Sequence, residues 1–323
     1  MLVTGGAGYI GAHIVKLLLN RGDEVVIVDD LATGSANRVP GVPIEQLDIA
    51  DSAAVRRVSD LLLHHRVDAV IHFAARKQIA ESVERPEWYF QQNIGALSHL
   101  LLAMRAAAVT KLVFSSSAAV YGASEGATLR EDAATVPVNP YGQSKLVGEW
   151  LMENAVRAFG LRGTSLRYFN VAGAGWPELG DTAVLNLVPM VFQRLDEGRA
   201  PIIFGDDYPT PDGTCVRDYV HVLDVAEAHL AALDGLGGGD ARHDVFNVGT
   251  GTGSSVREIV HKILDVAQGG LEPEVHARRI GDPAIVVADV SKIRNRLHWQ
   301  SRLNFTEIVA SAWESHQLLA SSR

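Results

Sequence analysis

The chain has 323 residues, 47% of them hydrophobic, enough for one large α/β domain or two moderate ones with a substantial core. A formal net charge of −9 with no lysine or arginine run argues against nucleic acid or anionic lipid as a partner. Cys215 is the single cysteine and no apolar run is long enough to span a membrane, so no internal disulfide or membrane helix is expected and a reducing cytoplasm is the default.

Residues 1–4 read as a short strand running into Gly5-Gly6-Ala7-Gly8-Tyr9-Ile10-Gly11, a glycine-broken start unlike a signal peptide. Ile10, Ile14, Leu17 and Leu18 follow at helical spacing, and residues 24–28 form a second strand ending on Asp29 and Asp30. Strand, glycine turn, helix, strand and acid is the order of a dinucleotide-binding unit. Gly5, Gly8 and Gly11 let the backbone approach a diphosphate, and the helix N-terminus offers N–H donors and partial positive charge. An acid ending the second strand suits a ribose 2′-OH and repels a 2′-phosphate, so NAD is expected rather than NADP. The spacing differs from the commoner G-x-G-x-x-G, but the strand and helix on either side make it specific.

The alternation continues with a strand at 44–46 before Asp48, a helix marked by Val55, Val58, Leu61 and Leu62, and a buried strand at 69–73. A long helix is expected over 86–108. The next strand, 111–115, leads into Ser115-Ser116-Ser117-Ala118-Ala119-Val120-Tyr121-Gly122. After a polar loop over 123–138, Asn139 caps a helix that has Pro140 in its first turn and runs to about residue 159. A strand at 164–169 completes the series. This pattern predicts an α/β fold with a Rossmann-type, doubly wound parallel sheet and ligands at the carboxyl ends of its strands.

Tyr141 and Lys145 lie one above the other on the capped helix. An ammonium beside a phenol favours the phenolate, so Lys145 is expected to lower the Tyr141 pKa and make it a candidate acid/base. Ser117, at a strand's carboxyl end, is placed to meet it. The pair alone is a weak signal, since a Tyr-x-x-x-Lys spacing on a helix is common.

Beyond residue 170 the character changes. Residues 173–180 are rich in glycine and proline, Asn186-Leu187 opens a helix to about 195, and a strand at 201–205 carries Phe204. Arg217 lies in the segment 216–221 before a helix ending near 233, and a strand at 244–248 precedes a helix over 256–266. Arg278-Arg279-Ile280-Gly281-Asp282 sits in a loop, and the end is helical. We expect a NAD-binding domain over 1–170 and a smaller α/β substrate-binding cap over 171–323, with the 244–248 strand free to return to the first sheet.

With these pieces in place the sequence resembles the extended short-chain dehydrogenase/reductase family and, within it, the UDP-galactose 4-epimerases. The likeness runs nearly end to end, through residues 4–11, His72-Phe73-Ala74 with Lys77, Glu81-Ser82-Val83, 115–122, 140–145, Arg167-Tyr168-Phe169-Asn170, Phe204-Gly205 with the 207–221 loop, and 278–282. The resemblance implies a catalytic pair of Ser117 and Tyr141, with Lys145 tuning the tyrosine and bonding the nicotinamide ribose. It implies cofactor positions at Tyr9, Ile10, Asp29, Asp30, Asp48, Ile49, Phe73, Ala74, Lys77, Gln92 and Phe169. It implies that Asn170, Asn186, Leu187, Phe204, Arg217, Arg279 and Asp282 hold a UDP-sugar, and forked arginine donors do suit a diphosphate. The implied reaction removes the sugar 4-OH proton to Tyr141 and the C4 hydride to tightly held NAD, then returns both to the other face of a turned 4-keto sugar. No metal is expected, and a homodimer through the 86–108 and Tyr141 helices is implied.

Departures carry their own expectations. The first strand begins slightly later than is usual in the family, which shortens it. Gln92 keeps an amide where the family often has asparagine, and Ala119 removes a frequent threonine hydroxyl. Val286 falls on the position that gates N-acetyl groups, with Ile285 the alternative, so UDP-N-acetylhexosamines are possible substrates and UDP-uronates a further one. A nucleotide-sugar dehydratase would carry an acid pair where this chain has Ala118 and Ala119, which argues against elimination. A non-catalytic nucleotide sensor would be expected to have lost Tyr141 or Lys145; both are present.

Overall fold

The computed structural model describes residues 1–123, 128–279 and 281–321. Part of the polar loop, 124–127, and Ile280 of the arginine loop lie outside the described residues. The strands are β1 (Leu2–Thr4), β2 (Val26–Asp29), β3 (Ile44–Gln46), β4 (Val70–His72), β5 (Lys111–Ser117), β6 (Arg162–Tyr168), β7 (Asn170–Ala172), β8 (Ile202–Phe204), β9 (Val216–His221), β10 (Arg242–Val248), β11 (Gly253–Ser255), β12 (Glu274–His276) and β13 (Ile285–Val286). The helices are α1 (Tyr9–Arg21), α2 (Ala54–His64), α3 (Ile79–Glu84), α4 (Pro86–Phe90), α5 (Ala96–Ala106), α6 (Pro140–Phe159), α7 (Leu187–Asp196), α8 (Val222–Gly235), α9 (Val256–Ala267), α10 (Ser291–Leu297) and α11 (Phe305–Ser321).

The main sheet runs in the order β10-β6-β5-β4-β1-β2-β3, with every pairing parallel. Alternation sends neighbouring residues of one strand to opposite faces. Val3, Ile27 and Ile71 join α1 and α8 in one core, while Leu2, Val26, Val28 and Val70 join α2 and α5 in another. Strand order reverses between β1 and β4, and a crevice opens beyond the carboxyl ends at such a switch point. The expected strand at 244–248 is β10, which pairs with β6 at the sheet's edge. Residues 171–323 thus supply the main sheet as well as their own small sheets, β11-β9-β13 with β7 on β9, and β8 with β12.

One expected element differs. The long helix over 86–108 is divided into α4, a π-helical turn at Gln91–Gly95 and α5. The cause lies in Asn93, whose side chain accepts from the Arg76 N–H at 2.8 Å and donates to the Arg76 carbonyl at 3.0 Å and to Ser144 Oγ at 2.9 Å. Those three bonds anchor the widened turn, a feature common at functional sites.

Several buried histidines are held neutral. His13 bonds the Tyr9 carbonyl through Nδ1 while Nε2 accepts from the Gly175 N–H at 2.9 Å, leaving no room for a second ring proton. Burial lowers His13, His221 and His229 to about 4 from the ordinary 6.5. The unfolded chain takes up those protons as pH falls through 6.5 and the folded chain only near 4. Each group therefore withdraws stability between those values, by about 1.4 kcal/mol per pH unit. Urea unfolding at pH 7 and pH 5 should show a loss of several kcal/mol, and His229→Gln should flatten the slope by about one proton; an unchanged slope in that variant would exclude His229 from the effect.

Candidate active site

The site begins where β1 ends. Gly5 has φ +68°, and a Cβ there would lie 2.7 Å from the backbone nitrogen of Ala74, just past β4. A Cβ on Gly11 would lie 2.1 Å from the Gly5 carbonyl oxygen. Only glycine lets the turn fold this tightly against the start of α1. Asp29, at the end of β2, accepts from Ala7 N–H at 3.0 Å and Leu31 N–H at 2.9 Å, so it braces the turn as well as facing the crevice. Burial raises its pKa and the two N–H donors oppose that rise.

A cavity follows the switch point. Its walls bring together Gly5, Gly8, Tyr9, Ile10, Gly11, Asp29, Asp30, Asp48, Ile49, Phe73, Ala74, Lys77, Gln92, Tyr141 and Lys145. Phe169 is not among them. It is buried in the core, and its neighbour Tyr168 lines the cavity instead. Arg76 also lines it without having been singled out in the sequence. Its guanidinium donates to Asp30 through Nη2 and to Gln92 Oε1 at 3.0 Å, and Gln92 in turn donates to Asp48 Oδ2 at 3.3 Å. One cation thereby ties together two acids from different strand ends. The basic pair Arg76-Lys77 was the available signal, but only the fold shows which acids it meets.

Tyr141 and Lys145 line the cavity from α6, a helix whose start is fixed by Asn139 accepting from Gly142 N–H at 2.9 Å. The Lys145 ammonium donates to the Ser115 carbonyl at 2.8 Å and lies 5.9 Å from the Tyr141 ring centroid. Burial brings Lys145 down to about 8. The Tyr141 phenol is pushed up by burial, and a hydrogen bond with Ser117 works the other way. This reverses the expectation that Lys145 lowers it. The reason is geometric, because the ammonium is turned to β5 and the phenol sits in low dielectric. Ser117 meets Tyr141 as expected and also accepts from Ala119 N–H at 3.1 Å.

A second group of predicted residues gathers around β9. Arg217 donates to Asp282 Oδ1 at 3.2 Å, and the Arg279 guanidinium lies 4.1 Å from the Phe204 ring centroid. Val286 is paired with Arg217 and so shares its face, whereas Ile285 pairs with Val216 on the other. Asn170 pairs with Tyr219, two residues along that face. Asn186 and Leu187 stand apart at the start of α7, where the Asn186 amide donates to Asp181 Oδ2 at 3.1 Å. Asp181 lines the first cavity.

A sequence model described as the NAD dependent epimerase/dehydratase family matches residues 1–249. The chain belongs to this family. It is 44% identical, over 97% of its length and 91% of the other's, to a protein of Azospirillum brasilense named UDP-glucose 4-epimerase. A solved UDP-glucose 4-epimerase from Stenotrophomonas maltophila, with bound NAD and formylated UDP-arabinopyranose, superposes with a TM-score of 0.94 at 39% identity, covering 100% of this chain and 99% of that one. A UDP-Glc/GlcNAc 4-epimerase from Campylobacter jejuni gives 0.85 at 35% identity, with 98% of each chain covered.

The residues of this family member fit a dinucleotide. Glycines stand where a Cβ would fill the cradle, acids end β2 and follow β3, and Nη1 of Arg38, another cavity residue, is buried without a hydrogen-bond partner among the described residues. Gly11→Ala places a methyl group on the Gly5 carbonyl and should weaken NAD binding at least tenfold by equilibrium dialysis; wild-type affinity would show that the turn does not cradle the cofactor.

Proposed function

We propose that the chain inverts C4 of a UDP-hexose, interconverting UDP-galactose and UDP-glucose through a 4-keto sugar, with NAD held throughout. The observation that carries this reading is the place of Tyr141. It lines the cofactor cavity with Lys145 and meets Ser117, which is followed by Ala118 and Ala119 where an eliminating enzyme needs an acid pair. The names of the similar proteins support the same substrate.

The glycine turn and the acids after β2 and β3 would hold NAD, which when bound would supply the hydride acceptor and donor for C4. Tyr141 acts as the phenolate: it takes the 4-OH proton, becomes the phenol, and gives that proton back to the same sugar oxygen after the sugar has turned. Ser117, hydrogen-bonded to that phenol, holds the proton path short and lowers the cost of the phenolate in a buried site. Lys145 contributes a buried positive charge to the same cavity. Arg217 and Arg279 would take the diphosphate, with Phe204, Asn186 and Leu187 around the uridine and Asn170 toward the sugar.

A wider substrate range has a specific basis. Val286, a small side chain, shares the Arg217 face, which supports the reading that an N-acetyl group on the hexose is admitted there. We further assign a homodimer through α5 and α6, which expose Leu102 and Trp150 by 52% and 54%. The cytoplasm suits a chain whose single cysteine, Cys215, is free and buried; among the described residues no helix is long and apolar enough to cross a membrane.

Purified protein given UDP-galactose and no added NAD should form UDP-glucose, with the activity eluting as a dimer. Tyr141→Phe should lower kcat by roughly 10²- to 10⁴-fold. Folded, NAD-loaded protein that interconverts no UDP-hexose would rule the reading out. In a second assay, Val286→Tyr should suppress turnover of UDP-N-acetylglucosamine while sparing UDP-galactose; equal loss on both would move the gate elsewhere.

A further inference from the structure

The segment between the small sheet and α7 crosses the cofactor cavity. Asp181, Thr182, Ala183 and Leu185 line that cavity together with Asp29 and Asp30 at the end of β2 and Asp48 after β3. Its preceding stretch is tied down firmly. The Tyr9 hydroxyl donates to the Gly173 carbonyl at 2.5 Å, His13 accepts from the Gly175 N–H, Lys16 pairs with Glu178, and Ser315 Oγ donates to the Pro177 carbonyl at 2.6 Å.

Residues 180–186 are held differently. Among the described residues, the hydrogen bonds that join them to the first half of the chain come from one side chain. Arg38 Nη2 donates to the Gly180 carbonyl at 2.8 Å and to Thr182 Oγ1 at 3.1 Å. The other bonds of the segment are internal, from Ala183 N–H and the Asn186 amide to the Asp181 carboxylate and from Leu185 N–H to the Ala183 carbonyl, save the one from Met190 N–H of α7 to the Asn186 carbonyl. Residues 180–183 have no regular structure, and Val184 and Leu185 are exposed. Behind the segment lies a second cavity of about 260 Å³, lined by Asp181, Thr182 and Val184 together with Val188, Phe192 and His316. A strap with few anchors and empty space behind it opens more cheaply than the packed elements around it.

We propose that Arg38 is the latch of this strap, a positioning residue that keeps 180–186 closed over the cofactor and so sets how fast NAD leaves. This rests on the cofactor cavity assigned above. Because Asn186 ends the strap and its amide holds Asp181, a uridine nucleotide bound at Asn186 and Leu187 stabilises the closed form. By linkage, UDP then slows NAD loss in the wild type.

The test is retention of NAD after dilution, followed by protein-bound nicotinamide absorbance and by the decay of epimerase activity. Arg38→Met keeps the aliphatic stem and loses the fork. It should release NAD at least tenfold faster than wild type, and added NAD should restore activity. Thr182→Val, which removes one acceptor only, should lie between the two, and UDP should slow release in wild type more than in Arg38→Met. Wild-type retention in both variants, with thermal unfolding showing them folded, would overturn the latch. Wild-type protein that neither carries NAD nor epimerises a UDP-hexose would instead overturn the functional reading.

Discussion

The close approach of two backbones at the switch point is the constraint on which the site depends. Gly5 and Ala74 follow β1 and β4, the strands between which the sheet order reverses, and no Cβ fits between them. Reversal sends the connecting helices to opposite faces, so nothing packs into the crevice from the sheet itself. The same glycine turn starts α1 with its N–H groups facing that gap, and Asp29 braces it through one carboxylate oxygen while the other accepts from Leu31 N–H. Binding groups here are thus mostly backbone, which explains why glycine spacing and not side-chain identity marks the unit in the sequence.

A second constraint sets the reacting residues. Glu149 lies one turn beyond Lys145 on α6 and is fully buried with Arg167 of β6, which donates to it at 2.9 and 2.6 Å. Ser116 of β5 donates to the same carboxylate, and Arg167 also reaches the Tyr121 hydroxyl, which in turn donates to Asn247 of β10. Burying such a pair gains little stability after desolvation, but a helix shifted by one residue would strand both charges. The network therefore fixes the register of α6 against three strands, and with it the distance from Tyr141 to Ser117. The return of β10 to the sheet matters for the same reason, since it supplies the last partner.

Much of this was legible in the chain because it is local. Glycine turns, strand-ending acids, the Asn139 cap and the alternation of strands with helices are all set by residues close in sequence; with the family resemblance they named fifteen residues that line one cavity. What the sequence concealed is the direction of side chains. Tyr141 and Lys145 do share a helical face, yet spacing could not show the ammonium turned to the Ser115 carbonyl, nor that burial would outweigh it at the phenol. The sequence carried no signal of what Arg38 and Arg76 meet, because their partners lie 142 and 46 residues away. The π-turn was hidden likewise, since its cause is a bond from Asn93 to a loop that is remote along the chain.

On the epimerase reading, the two halves of the substrate meet opposite physics. Arginines beside an aromatic ring and an acid give the nucleotide end directional, charge-assisted bonds that hold one geometry. On that reading Ala118, Ala119 and Val286 are small neighbours of the hexose that offer it no side-chain hydrogen bond, and Asn170, Ser117 and Tyr141 are its polar ones. Few polar neighbours leave the sugar little to lose when it turns, whereas a full set of hydroxyl-bearing ones would favour one face and bias the product. Access to both faces then follows from weak holding at the sugar, and it is tolerable because the diphosphate anchor keeps the released intermediate from diffusing away. Tyr141 need then recognise only the C4 oxygen, which with C4 itself must return to nearly the same place in both orientations.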